Sequence, residues 1–188
     1  MLFETIKVED AKVFNLTWHN QRFNHSRKKL FNSNTNLNLR DYIKAPKSGL
    51  YRCKIVYNDK IQSVEYFAYE AKKPQNFKVV QAELDYSHKY YDRVEIQKLF
   101  QQNYDEIIIE KNGLLTDTSI ANIAFYNGQS WLTPKVPLLA GSTRARLLNE
   151  GFLKLHDIKK EDIENYSHFA LMNAMIGFRI QKSVSIQI

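Results

Sequence analysis

The stretch NGLLTDTSIANIAFYNG, Asn112 to Gly128, begins and ends on an Asn-Gly pair. Such pairs supply the left-handed backbone that tight hairpin turns require, so the residues between them read as sheet. The middle of the stretch, TDTSIAN, does not suit a core strand. Asp117, Ser119 and Asn122 stand where burial favours valine or isoleucine. The pattern asks for a reason other than packing.

Outward from this segment the chain alternates strand and helix signals. EIIIEK (106–111) reads as a buried strand that Asn112-Gly113 turns into LLTD, and Asn127-Gly128 leads into QSWLTP. STRARLLNE opens a helix directly after Gly141, and FLKLHD, HFALMN and GFRIQ read as short strands with a small helix near KKEDIEN. Upstream, DRVEIQKLFQQN (92–103) predicts a helix with Ile96, Leu99 and Phe100 on one face, and FKVVQAEL predicts a strand before it. AKKPQN (71–76), with Pro74 between two apolar segments, is the linker candidate. Before it, LYRCKIVY alternates, turns at Asn58-Asp59 and returns as IQSVEYFAY. LFETIKV and VFNLT predict two strands, after which Thr17 is placed to cap a helix carrying Phe23, Leu30 and Phe31 on one face. SNTNLNLRDY reads as loop or short helix. The expectation is an α+β chain of two lobes, 1–75 and 76–188.

Bulk properties narrow the function classes. At 188 residues, 44% hydrophobic and 25% charged, the chain has the composition of a soluble globular protein. No apolar run reaches the length of a membrane span, and Met1 leads straight into a strand, so neither a membrane partner nor a leader is expected. The single Cys53 precludes an intramolecular disulfide and predicts a cytoplasmic setting. Five histidines form no zinc-binding spacing, so no metal is expected. The net charge of +7 favours an anionic partner, but its densest run is only HSRKK, and no phosphate loop of the GxxxxGK[ST] or GxGxxG kind is present. The 13% aromatic residues lie in strand and core positions rather than on a stacking platform, so nucleic acid is not expected.

Four features could carry chemistry. Lys89 sits in DYSHKYYDR between a strand and a helix. Asp117 lies 28 positions later, in LLTDTSIAN. Ser142 and Thr143 occupy the first helical turn after Gly141, where free backbone N–H groups and the helix dipole attract phosphate. Asn173-Ala174, in LMNAMIG, forms a loop of small residues after a strand. Read singly, each has a structural explanation: a solvated lysine, a turn acid, an N-cap serine, a loop asparagine.

Their order and spacing resemble the class IV aminotransferase family, pyridoxal-phosphate enzymes of fold type IV that include branched-chain and D-amino-acid aminotransferases and aminodeoxychorismate lyase. The family's strand starts at a glycine and carries an acid, a serine two on and an asparagine five on, here Gly113, Asp117, Ser119 and Asn122. Thr133-Pro134 and the helix start GSTR (141–144) follow, and Lys89 fills the place of the family's Schiff-base lysine. FETIKV and HNQR, with His19 and Arg22, resemble its first strand and its His-x-x-Arg helix. KYYDR looks most like the lyase branch.

The resemblance implies a two-lobed fold-type-IV enzyme, a small N-terminal α/β lobe and a larger β-rich, cofactor-binding C-terminal lobe, shortened relative to the family. It implies pyridoxal 5'-phosphate as cofactor and Lys89 and Asp117 as catalytic residues, Asp117 keeping the pyridine nitrogen protonated. Arg22, Ser142, Thr143 and the Asn173-Ala174 backbone would hold the phosphate, and Ser119 and Asn122 would support the acid and the cofactor edge. Arg93 and Arg52 are candidates for the substrate carboxylate or the cofactor rim, with exposed surface arginines as the alternative. The expected partners are an amino or aminodeoxy carboxylate and a second copy of the chain in a homodimer. The reaction is read as pyruvate elimination leaving 4-aminobenzoate, a step of folate biosynthesis. Amino transfer, or cofactor-fold binding without turnover, are the alternatives. The family usually has Glu where this chain has Asp117, shorter by one methylene, roughly 1.5 Å of reach.

Overall fold

β1, Leu2–Glu9, alternates buried and half-buried residues along its whole length, the period of a strand with one face in a core. Leu2, Ile6 and Val8 are the apolar residues of its buried face, and Glu4 is the fourth. β1 pairs antiparallel with the two-residue β2, Lys12–Val13, and with β3, Leu50–Tyr57. β4, Ile61–Ala68, completes a four-stranded sheet of order β2-β1-β3-β4. The segment His88–Asp92 also joins β1. Leu2 bridges antiparallel to Tyr90, Phe3 N–H donates to the Lys89 carbonyl at 3.0 Å, and Tyr91 N–H donates to the Met1 carbonyl at 3.0 Å. Lys89 is thereby fixed by backbone pairing beside Phe3.

This computed structural model describes residues 1–100 and 103–188. The chain separates into two compact units, Met1–Ala71 with His88–Asp92, and Lys72–Ser87 with Arg93–Ile188. In the first unit, helix α1, Leu16–Phe31, buries His19, Phe23, Ser26 and Arg27. Phe23 meets Tyr57 edge-on, ring centroids 4.6 Å apart.

Several local expectations are corrected in this unit. Asn15, at φ 54, starts α1 with no side-chain cap bond, so Thr17 lies inside the helix and does not cap it. Asparagine tolerates the left-handed region that turns the chain out of β2, which also limits the VFNLT strand to Lys12–Val13. Leu30 is exposed. Arg27 closes the buried face in its place, its guanidinium donating to the carbonyls of Thr35 and Asp59. The SNTNLNLRDY stretch holds a short 3-10 helix, Leu39–Tyr42.

The second unit is a large mixed sheet. β5 (Asn76–Gln81), β6 (Glu106–Lys111), β7 (Leu114–Thr118), β8 (Asn122–Tyr126), β9 (Trp131–Pro134), β10 (Leu153–His156) and β13 (Ser185–Gln187) lie in the order β10-β9-β8-β7-β6-β5-β13. β11, His168–Asn173, pairs with β8 and with β12, Gly177–Gln181. β6 and β7 are joined by the Asn112-Gly113 turn, where φ is 52 and 75, the doubly left-handed turn that Asn-Gly favours. The core is aromatic at its centre: Phe169 stacks on Phe125 at 5.0 Å and meets Phe77 edge-on at 5.3 Å. Helix α3, Ser142–Asn149, packs Leu147 against Ala124, Leu153 and Met172.

Two elements differ from the sequence pattern. The helix expected over 92–103 is the five-residue α2, Val94–Lys98, with Ile96 buried, Leu99 half-buried and Phe100 exposed. Asn103 is left-handed at φ 88 and cannot continue a helix; Gln101 and Gln102 lie outside the described residues. β13 was given no strand signal by its alternation of Ser185 and Gln187 around Ile186. It forms by pairing parallel to β5, far away in sequence. Among the described residues no helix is long and apolar enough to cross a membrane.

Phe169→Ala removes the ring between Phe77 and Phe125 in the second unit's core and is expected to cost about 3–5 kcal/mol, measured as a lowered urea midpoint for that unit.

Candidate active site

The polar middle of the opening segment forms the tip of the β7–β8 hairpin. Thr118 closes it: its N–H donates to the Ala121 carbonyl at 2.8 Å, and its Oγ1 accepts from Ala121 N–H at 3.0 Å. The ladder then sets Asp117 opposite Asn122. Asp117 is buried, and both of its oxygens are engaged. Oδ1 accepts from Asn122 Nδ2 at 2.7 Å and Oδ2 from Leu139 N–H at 2.7 Å. Asn122 Nδ2 also donates to the Leu139 carbonyl at 2.8 Å. Burial pushes the Asp117 carboxyl up to about 7, against the pull of the Asn122 and Leu139 hydrogen bonds and the charge of Arg144. Near neutrality this acid is balanced between its two forms, and a cation placed against it would tip it to carboxylate.

The residue that starts α3 is fitted to the same group. A Cβ on Gly141 would stand 1.9 Å from Asn122 Oδ1, closer than any side chain permits. Beyond it, Ser142, Thr143 and Arg144 are all buried in the first turn, where helix N–H groups have no partner within the helix. Thr143 Oγ1 is buried without a hydrogen-bond partner among the described residues. Arg144 donates from Nη2 to the Pro134 carbonyl at 2.7 Å.

Ser119 turns elsewhere. Its N–H donates to Glu106 Oε1 at 3.2 Å, beside the bond from Ile107 N–H at 2.9 Å, and Arg93 Nη2 donates to the Ser119 carbonyl. Burial pushes the Glu106 carboxyl up, opposed by those backbone bonds, by the Ser119 side chain and by Arg93. Asn173 caps its own turn, Oδ1 accepting from Met175 N–H at 2.9 Å and Ile176 N–H at 3.0 Å, while Nδ2 donates to the Ile120 carbonyl at 3.2 Å. That bond ties the Asn173-Ala174 turn to the hairpin tip. The second unit thus gathers Asp117 with Asn122 and the α3 start, and separately Ser119 with Arg93 and Glu106.

In the first unit, Arg22 is clasped by Glu4. Nε donates to Oε1 at 2.8 Å and Nη2 to Oε2 at 2.6 Å. His19 Nδ1 lies 2.6 Å from Glu4 Oε2. Burial works to raise the Glu4 carboxyl, but Arg22 and His19 outweigh it and hold it at about 2. With Glu4 ionised, the facing His19 nitrogen is the one that carries hydrogen. Burial pushes His19 itself down. Lys89 is half-buried, its Nζ 4.6 Å from the Phe3 ring centroid. Arg52 is exposed, its guanidinium 5.0 Å over the Phe67 ring, a surface stack rather than part of this cluster.

Sequence reasoning assigned no role to Glu4 or Glu106, and read Gly141 only as the start of the GSTR helix. For Glu4 a signal exists, since it interrupts the apolar inward pattern of LFETIKV. The fit of Gly141 to Asn122 leaves none, because the atom it makes room for lies far away in sequence. Among the described residues no group of three His, Cys, Asp or Glu side chains could hold a metal ion.

Gly141→Ala is expected to force Asn122 off Asp117 and Leu139, lowering stability by about 1–3 kcal/mol for the buried groups left unpaired, measured by chemical denaturation. Glu4→Gln removes one partner of a buried ion pair and is expected to cost roughly 3–5 kcal/mol at pH 7. The folded-state value of Glu4 lies below its unfolded value of 4.5, so its contribution is present above that pH and lost as pH falls towards about 2. The stability gap between wild type and Glu4→Gln therefore narrows over that window, as a pH series of denaturation curves measures.

The family described as amino-transferase class IV matches residues 87–184. An uncharacterized protein of Haemophilus influenzae is 39% identical over 184 residues, 94% of this chain and 98% of its own length. A crystal structure from Haemophilus somnus 129pt, provisionally named a 4-amino-4-deoxychorismate lyase, is 35% identical with a TM-score of 0.84, covering 94% of this chain and 96% of that one. A hypothetical aminotransferase of Mycobacterium tuberculosis in its PLP-bound form shares the fold at 14% identity, with a TM-score of 0.78 over 98% of this chain and 81% of that one. With the family match over residues 87–184 and the fold shared with the Haemophilus somnus structure, the chain belongs to the class IV aminotransferase family.

Proposed function

We propose that this chain is a pyridoxal-phosphate-dependent lyase that releases pyruvate from an aminodeoxy carboxylate of the 4-amino-4-deoxychorismate type, leaving 4-aminobenzoate. The observation that carries the reading is the buried Asp117 carboxyl, held by Asn122 and Leu139 in the loop that runs into the first turn of α3. The residues present fit the cofactor. Asp117, poised near neutrality, is the acid a protonated pyridine nitrogen needs, and the buried Thr143 hydroxyl, without a partner among the described residues, is a donor of the kind a phosphate takes. When bound, the cofactor supplies an aldehyde for a covalent link and a ring that draws electrons from the reacting carbon.

The chain's own residues take the remaining roles. Lys89 Nζ would be the nucleophile toward the cofactor aldehyde and the base that removes the proton from the amine-bearing carbon of the substrate. That proton returns to the leaving pyruvate fragment as the C–O bond breaks, so the elimination needs no co-reactant. Asp117 keeps a proton on the ring nitrogen, and Asn122 keeps Asp117 in place. Arg22, Ser142, Thr143 and the Asn173-Ala174 turn serve the phosphate. Arg93, bonded to the Ser119 carbonyl, is the residue for a substrate carboxylate. Arg52, stacked on Phe67 at the surface, has no such support. The lyase name of the 35% identical Haemophilus somnus protein supports elimination over amino transfer.

The test is the visible absorption spectrum of the purified protein with pyridoxal phosphate, followed by borohydride reduction and peptide mapping. The expected result is a long-wavelength band that reduction fixes onto Lys89, with pyruvate released in the absence of any keto acid. Lys89→Ala is expected to lose the band and to lower turnover by about 10²–10⁴-fold or more. Turnover that depends on a keto acid would replace the lyase with an aminotransferase. A colourless, unlabelled protein would leave a binding module on an enzyme's fold.

A further inference from the structure

Glu4 is the charged residue on the inward face of β1, between the buried Leu2, Ile6 and Val8. An apolar side chain there would serve the strand as well or better, since taking an ion pair out of water offsets much of its own attraction. The geometry points to a reason for the charge. We infer that Glu4 and His19 are positioning residues for Arg22, a socket that holds its guanidinium in one orientation to receive the phosphate of a pyridoxal-type ligand. This rests on the reading given under Proposed function.

The socket is built from two residues. Glu4 grips Arg22 with two nearly parallel bonds, at 2.8 and 2.6 Å, which fix the plane of the guanidinium as well as its position. His19, one helical turn before Arg22 on α1, holds Oε2 from another side at 2.6 Å and keeps the carboxylate from swinging. The Glu4 and His19 side chains have no exposed surface, whereas Arg22 keeps 13% of its side chain exposed. The guanidinium is therefore held from within by a fully buried acid while part of the Arg22 side chain stays exposed. An unheld arginine samples many rotamers and must give them up when a ligand arrives; here that freedom is already lost in the free protein.

Phosphate dependence separates this role from a purely structural one. Full-length wild type, Glu4→Gln, Arg22→Lys and the double variant would each be titrated with pyridoxal phosphate and with pyridoxal, binding being read from protein fluorescence. Glu4→Gln and Arg22→Lys are each expected to weaken pyridoxal phosphate tenfold or more and to change pyridoxal by less than twofold. The double variant should be no worse than Arg22→Lys alone, because Glu4 acts through Arg22. Should Glu4→Gln be too unstable to purify, His19→Ala carries the same comparison, with a three- to tenfold selective loss that His19→Asn restores. Equal weakening of both ligands, or no change in either, overturns the inference while the functional reading stands. If wild type takes up neither ligand, the functional reading falls first and the socket with it.

Discussion

A carboxylate removed from water must find hydrogen bonds or lose its charge, and the second unit of this protein is arranged around that requirement at Asp117. The hairpin tip brings Asn122 to one oxygen, and the loop after β9 brings the Leu139 N–H to the other. Asn122 then reaches back to the Leu139 carbonyl, so hairpin and loop hold one another through the same amide group. The absent side chain of Gly141 is what lets α3 begin so close to it. Acid, amide and helix start are consequently one structure, and none of them can be moved without the others.

The first unit meets the same requirement differently. Glu4 is satisfied by a full positive charge and an imidazole, and its carboxyl stays ionised far below neutrality, whereas Asp117 has neutral donors and sits near it. The contrast follows from the partners. A guanidinium stabilises the anion through both charge and hydrogen bonds, while an amide and a backbone N–H offer hydrogen bonds alone. An ionised, permanently paired acid suits orientation of a neighbour; an acid held near its midpoint suits a response to an arriving cation.

Much of this was legible in the sequence, though unevenly. The strands around Asn112-Gly113 and the helix after Gly141 lie where turn chemistry puts them, because those signals are local. The expected support of Asp117 by Asn122 is present in the geometry, while Ser119, in the same motif, faces Glu106 instead. Residues 117, 119 and 122 look alike in a line of text, and only the closing of the tip by Thr118 turns 119 away from 117. The long helix read over 92–103 is a single short turn, since apolar spacing cannot register that Asn103 will be left-handed.

The sequence by itself determined the local grammar: where hairpins turn, which faces of strands are apolar, and the order of lysine, acid and glycine-led helix that marks the family. Only the tertiary structure decided which group answers each buried charge. Arg22 meets Glu4 across a helix-to-strand contact, and β13 pairs with a strand more than half the chain away. Turn propensity and side-chain period act over a few neighbouring residues, whereas a buried ion finds its partners through strand register and packing, which no short stretch encodes.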